Sequence, residues 1–186
     1  MRKYPDITEQ ELIRQCKLGD LKYQELLYKQ FYGYAMGIGL RYSANRDDAL
    51  EVVNDAFIKI FKTIESFNNV LPFKPWLQKV IVHTAIDLRR KNKRYLADAD
   101  LDEAATVSTP AIAITNLNVK YILLMLNELP EINRLVFNLY ELEGYNHEEI
   151  SRMLNIAESS SRVYLSRAKE RLRKMIIQHE KTDDGK

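Results

Sequence analysis

Apolar residues recur at intervals of three and four positions along most of this chain, and that spacing places them on one side of an α-helix. Between positions 21 and 42 the pattern includes Leu27, Phe31, Ala35 and Ile38. Six glycines and five prolines interrupt the 186 residues, which favours long helices over strands and turns. No segment shows a convincing strand pattern. The sequence therefore predicts an all-α fold.

Polar residues three positions apart predict where several helices begin. These pairs are Thr8–Glu11, Asn45–Asp48 and Asn146–Glu149. The first helix is expected to end at Lys17, before Gly19, and the second to run from Leu21 to Tyr42. Gly37 and Gly39 lie inside the second helix, where no strand precedes them and a third glycine is missing. We expect them to permit close helix contact rather than to bind phosphate.

The fourth predicted helix changes character along its length. Pro75 fits its first turn, and the front half is apolar. From Arg89 to Arg94, five of six residues are Lys or Arg. This basic end either neutralises a nucleic-acid backbone or forms a solvated tail.

An acidic and then small, polar stretch follows the basic end and continues to about Thr115. Such a composition buries little apolar surface and is typical of a linker. We therefore predict two small helical domains, residues 1–95 and 117–180, joined by a flexible linker, 96–116.

The segment from His147 to Lys174 predicts a helix-turn-helix. Asn155 would end its first helix in a left-handed conformation, which asparagine tolerates better than any residue except glycine. The residues predicted to remain outside on the second helix are Ser160, Arg162, Val163, Ser166, Arg167 and Lys169. Guanidinium groups and small residues suit a major groove. The alternative is a basic amphipathic helix that serves only for packing.

The loop from Ser66 to Lys74 contains Phe67, Asn68 and Asn69. Such side chains can stack on an unstacked base or hydrogen-bond to it. The alternative is that the phenylalanines belong to the core.

Other chemistry is not supported by the sequence. Cys16 is the single cysteine, which excludes an intrachain disulfide and a thiolate metal site and fits a reducing cytoplasm. His83, His147 and His179 are scattered, and the run that begins at His147 lacks the second histidine of a zinc-protease motif. We expect no enzyme activity, no metal, no cofactor and no small-molecule substrate. Neither a signal peptide nor an apolar run of about 20 residues is visible, so no membrane insertion is expected.

Two long stretches resemble the extracytoplasmic-function (ECF) sigma factors of bacterial RNA polymerase. The first domain carries DALEVVNDAFIKIFKTIESF and FKPWLQKVIVHTAIDLRRKNKR, and the second carries LNELPEINRLVFNLYELEGYNHEEISRMLNIAESSSRVYLSRAKERLRKMI. The resemblance implies a cytoplasmic sigma factor that binds core RNA polymerase and promoter DNA. It also implies an anti-sigma factor as inhibitor.

The resemblance further implies roles for individual residues. Contact with core polymerase would involve Asn54, Asp55, Phe57, Ile58 and Phe61. The alternative is that Phe57 and Phe61 are simply buried in the core. Contact with the −10 element would involve Phe67, Asn68, Asn69, His83, Asp87, Arg90, Lys91 and Arg94. The exposed face of the last helix would bind the −35 element.

Three positions depart from the family pattern. His83 stands where many relatives carry asparagine, and Ser159 and Ser161 replace the usual glycine and β-branched residue. We expect Ser161 to weaken packing at the start of the recognition helix.

Two further hypotheses remain open at this point. A stand-alone helix-turn-helix regulator would bind a palindromic site as a dimer. A helical adaptor would bind only protein, and its DNA affinity would show almost no dependence on salt.

Overall fold

The computed structural model describes the backbone of residues 7–98 and 117–183, and the side chains of residues 7–92 and 121–178. The chain divides into two compact units, Met1–Thr106 and Val107–Lys186. Residues 99–116 of the predicted linker lie outside the described part, as does the side chain of Arg94. All regular elements in the described ranges are helical, which confirms the all-α prediction.

Eight α-helices and two short helical turns make up the described chain. The first unit contains α1 (Glu9–Lys17), α2 (Leu21–Tyr42), α3 (Arg46–Thr63), a 3₁₀ turn (Ile64–Ser66) and α4 (Phe73–Asp98). The second contains α5 (Leu117–Asn127), α6 (Glu131–Phe137), a π turn (Asn138–Leu142), α7 (His147–Leu154) and α8 (Glu158–Asp183). Among the described residues, no helix combines the length and the apolar character needed to cross a membrane.

The predicted caps form in the first unit. The Oγ1 atom of Thr8 accepts a hydrogen bond from the backbone N–H of Glu11 at 3.2 Å. The Oδ1 atom of Asn45 accepts one from the backbone N–H of Asp48 at 2.8 Å. Gly19 ends the turn after α1 at φ +78°, a left-handed conformation that favours glycine. These local interactions set the beginnings of α1 and α3.

Helices α2, α3 and α4 pack against one another, and α1 covers α2. Gly39 lies where α2 meets α3, because a Cβ atom there would be 3.1 Å from the carbonyl oxygen of Ala49. A Cβ atom on Gly37 would meet nothing within 4 Å. The prediction of close helix contact is therefore confirmed for Gly39 and wrong for Gly37.

An aromatic cluster closes the end of the first unit where α4 begins. The rings of Phe67 and Phe73 meet edge to face with centroids 5.5 Å apart, and Trp76 lies 5.1 Å from Phe67. The cluster joins the segment before α4 to the core.

Cys16 is buried in the same unit, and this burial raises the pKa of its thiol to about 11.

The second unit is built around α8. Leu126, Leu129 and Ala168 form a buried cluster, and α8 packs mainly against α6 and α7. The helix predicted after Pro130 is not uniform, because α6 changes into the π turn before Gly144 ends it at φ +78°. Periodicity alone does not predict such a change in winding.

Candidate nucleic-acid interface

Helices α7 and α8 form the predicted helix-turn-helix. Asn146 and Glu149 make a full capping box at the start of α7, with bonds of 2.9 Å and 2.8 Å. Asn155 follows α7 at φ 53° and ψ 54°, the left-handed conformation expected from the sequence. Ile150 and Leu154 are buried. The turn and its packing therefore agree with the sequence-based prediction.

Helix α8 separates buried from exposed residues along its length. Leu165 and Ala168 face the core, and Ser161 is fully buried with them. The predicted outward residues that are exposed are Arg162, Val163, Ser166, Arg167 and Lys169, whereas Ser160 is half-buried. Val163 exposes 46% of its surface, a large fraction for an apolar side chain on an otherwise polar face. This face presents two guanidinium groups beside small residues, as a major-groove reader requires.

The three cations of this face have different surroundings. Arg162 pairs with Glu158 at 2.6 Å, one turn earlier in α8. Lys169 pairs with Glu141 of the π turn at 2.6 Å, and its Nζ atom lies 5.9 Å from the ring centroid of Tyr140. Arg167 is exposed and forms no ion pair with any residue that the structure describes. Lys169 is thus held against its own unit, while Arg167 extends into solvent.

A polar contact fixes the start of α8. The Oγ atom of Ser161 lies 2.9 Å from Nδ1 of His147, whose ring stacks on Tyr140 at a centroid distance of 4.6 Å. Burial lowers the pKa of His147, and the positive charge of Arg162 acts in the same direction. The sequence predicts weaker packing at Ser161 and gives no sign of this hydrogen bond. No short-range pattern links two residues fourteen positions apart.

The basic end of α4 forms a second polar surface. Asp87 is exposed, and its carboxylate lies 3.2 Å from Nζ of Lys59 and 3.9 Å from the guanidinium of Arg90. Lys91 and His83 are exposed on the same helix. Lys59 of α3 also lies at this surface. No local sequence pattern indicates this, because only tertiary packing brings α3 and α4 together.

The loop between the 3₁₀ turn and α4 comprises residues 67–72. Phe67 is 4% exposed and packs against Phe73 and Trp76. In this conformation its ring is not available for stacking on a base, so the prediction of a DNA contact by Phe67 is corrected to a role in the core. Asn68 and Asn69 are exposed.

The tip of this loop is ordered by Asn68. Its Oδ1 atom accepts from the backbone N–H of Val70 at 3.1 Å, and its carbonyl accepts from Leu71 at 3.0 Å. Val70 and Leu71 expose 88% and 61% of their surfaces. The side-chain oxygen of Asn68 therefore serves the turn, whereas Asn69 lines a cleft between the loop and α1.

The predicted polymerase contacts lie on α3 but not on one surface. Ile58 is 51% exposed, Asn54 is exposed and accepts a hydrogen bond from Tyr28 at 3.0 Å, and Asp55 and Phe61 are half-buried. Phe57 is 2% exposed and packs on Tyr28. We therefore correct the prediction for Phe57, because its side chain belongs to the core.

No group of three or more His, Cys, Asp or Glu side chains suited to holding a metal ion occurs within residues 7–92 and 121–178. The cations described above instead offer ligands for phosphates and base edges.

Comparison with known proteins identifies both units separately. The family model for Sigma-70 region 2 matches residues 27–95, and that for Sigma-70 region 4 matches residues 120–172. The ECF RNA polymerase sigma-E factor of Haemophilus influenzae is 30% identical over 182 residues, covering 91% of this chain and 96% of that protein. The factor of the same name from Escherichia coli K12 is 27% identical over 176 residues, covering 88% and 92%.

A solved structure shares the fold. The sigma factor RpoE, determined in complex with the anti-sigma factor NepR from Bartonella quintana, matches with a TM-score of 0.56 at 20% identity. The match covers 82% of this chain and 95% of that one.

Proposed function

Because the chain belongs to the ECF family of RNA polymerase sigma factors, which direct promoter-specific transcription initiation, we propose that its two units divide promoter recognition between them. The second unit reads the −35 element and the first unit engages the −10 element. The observation that carries this proposal is the exposed face of α8. Arg162 and Arg167 lie on this face, whereas the opposite side of the helix is buried.

The −35 contact uses the residues of α8 that face solvent. Arg162 and Arg167 reach phosphates or guanine edges, while Val163 and Ser166 let the helix approach the bases closely. Ser160 and Lys169 lie at the margins of this surface, since the first is half-buried and the second is paired with Glu141.

The −10 contact combines the loop 67–72 with the outer side of α4. Asn69 and the amide nitrogen of Asn68 hydrogen-bond a base that leaves the stack, because the loop exposes both residues. Arg90, Lys91 and Arg94 of α4 neutralise the strand or its upstream duplex. Asp87 lies at the same strand, and His83 influences the base preference.

Core polymerase binds the first unit along α3. Ile58 supplies an exposed apolar contact, and Asn54, Asp55 and the half-buried Phe61 lie within about one helical turn of it. Burial of this apolar side chain by a partner removes it from water, which favours association.

The chain works as a binding protein in the cytoplasm, without enzymatic activity of its own and without a cofactor. An anti-sigma factor restrains it, a proposal supported by the solved complex of the related Bartonella quintana sigma factor. A stand-alone regulator is not favoured, because the first unit matches sigma region 2.

Reconstituted transcription tests the proposal. Core polymerase mixed with this chain is expected to start RNA synthesis at discrete genomic sites, located by sequencing transcript 5′ ends. Core polymerase alone is the control. A mixture that yields the same starts as the control contradicts the proposed function.

A further inference from the structure

The side chain of Lys17, at the end of α1, donates a hydrogen bond to the loop 67–72. We propose that Lys17 is a positioning residue that fixes this loop for contact with the separated promoter strand. The inference rests on the −10 role proposed above for the loop.

Lys17 is the last residue of α1 and is half-buried. Its Nζ atom donates to the carbonyl oxygen of Phe67 at 2.6 Å and lies 6.0 Å from the centroid of the Phe67 ring. A hydrogen bond from a charged donor is stronger than a neutral one, and partial burial reduces its screening by solvent. The ammonium group thus links two segments fifty residues apart in sequence.

Both ends of this link are firmly held. Helix α1 is anchored by Leu12, Ile13 and Cys16, all of which are buried. The ring of Phe67 is buried against Phe73 and Trp76. Because α1 and the Phe67 ring are both held, Lys17 restrains the Phe67 peptide group, which lies between the buried ring and the exposed tip.

The bond acts at the point where the exposed tip begins. The N–H of Phe67 donates to Ile64 at 3.1 Å, so that Lys17 holds the opposite side of the same residue. Asn68 follows directly, and it accepts the two hydrogen bonds that shape the tip. The orientation of the Asn69 side chain therefore depends on the Phe67 peptide group, to which Lys17 donates its hydrogen bond.

A direct phosphate contact by Lys17 is the competing explanation. If Lys17 bound a phosphate, another cation nearby could replace it. Its loss would then weaken DNA binding for every sequence and reduce the salt dependence of that binding. Lys22 supplies the matched control, since it is exposed at the start of the neighbouring helix α2.

The test compares Lys17→Gln, Lys17→Met, Lys17→Arg and Lys22→Gln in the full chain. Hydrogen exchange at the amides of Val70 and Leu71 reports loop order in the free protein. Permanganate reactivity of −10 thymines reports strand opening by the holoenzyme at a start site mapped with the wild-type protein. Circular dichroism and affinity for core polymerase verify that each variant is folded.

Loss of the ammonium in Lys17→Gln and Lys17→Met is expected to speed exchange at Val70 and Leu71 and to reduce strand opening, each by about tenfold. Lys17→Arg keeps a charged donor and should retain both properties, and Lys22→Gln should resemble the wild type.

Two results overturn the inference. One is unchanged amide exchange in folded Lys17→Gln and Lys17→Met, and the other is an equal loss of strand opening in Lys22→Gln. Failure of the wild-type holoenzyme to initiate at any discrete site refutes the proposed function instead, and the exchange measurement still decides whether Lys17 orders the loop.

Discussion

The Nδ1 atom of His147 lies 2.9 Å from the Oγ atom of Ser161, and this contact joins the first turn of α7 to the first turn of α8. Tyr140 stacks on the other side of the imidazole and connects it to the π turn. The π turn and the two helices of the helix-turn-helix therefore meet at one ring. The angle at which α8 leaves the turn depends on this small polar cluster as well as on apolar packing.

Acid is expected to destabilise the second unit through His147. Burial lowers the pKa of this imidazole below 6.5, the positive charges of Arg162 and Lys169 add to the effect, and Glu158 opposes it. As the pH falls, the unfolded chain takes up the proton before the folded chain does. The stability that His147 contributes is therefore complete above about pH 6.5 and is lost as the pH falls towards the lower pKa of the folded state.

Urea unfolding of the full chain measures this effect, with the NMR signals of Leu165 and Ala168 reporting the second unit. The free energy of unfolding should be smaller at about pH 5.5 than at about pH 7.5, and His147→Gln should remove part of that difference. His83→Gln, in the other unit, serves as the control. An unaltered pH dependence in His147→Gln contradicts the prediction.

Gly39→Ala and Gly37→Ala are expected to differ in stability although both lie in α2. Alanine favours a helix over glycine by up to about 1 kcal/mol, which should stabilise Gly37→Ala because nothing lies near its new Cβ. At position 39 the Cβ would lie 3.1 Å from the carbonyl of Ala49, so α3 must shift. We expect Gly39→Ala to be less stable than Gly37→Ala by about 1–3 kcal/mol in urea unfolding followed by Trp76 fluorescence. Equal stabilisation of both variants would show that α3 can move away from residue 39 without measurable cost, and it would contradict the prediction.

Arg167→Ala should weaken binding to −35 duplex more than Lys169→Ala does. Arg167 extends into solvent, whereas Lys169 is already paired with Glu141. Loss of a base-reading arginine costs about 1–3 kcal/mol of binding free energy. Fluorescence anisotropy on a duplex from a mapped promoter measures the difference, and Arg152→Ala on α7 is the control. A larger loss for Lys169→Ala contradicts the assignment of these two cations.

Ile58→Ala and Phe57→Ala separate surface from core on α3. Ile58 is 51% exposed, so its truncation should lower the affinity for core polymerase and leave the free energy of unfolding nearly unchanged. Phe57 is buried, and its truncation should cost about 3–5 kcal/mol of stability. Co-sedimentation with core polymerase and urea unfolding together distinguish the two. If Ile58→Ala keeps full affinity for core polymerase, Ile58 does not belong to the interface.

Local interactions made much of the fold predictable. The caps at Thr8, Asn45 and Asn146 involve residues only three positions apart, so the sequence displays them directly. The left-handed Asn155 follows from the same kind of short-range chemistry. The boundaries of the helix-turn-helix could therefore be predicted before any packing was known.

Tertiary packing decided what the sequence left open. Gly37 and Gly39 differ by two positions, and only the approach of α3 separates their roles. Phe57 and Phe67 carry rings suited to either core or interface, and the packing of α3 and of the loop 67–72 buries both. The link between Lys17 and Phe67 depends on segments far apart in the chain.

The burial of Cys16 has a practical consequence for labelling experiments. Burial raises the pKa of the Cys16 thiol to about 11, so almost none of it is ionised at pH 7, and access to it is blocked as well. A cysteine introduced at the exposed tip, as in Val70→Cys, should accept a maleimide dye while the native thiol stays unmodified. A fluorophore can thus report on strand capture in real time without prior removal of the natural cysteine.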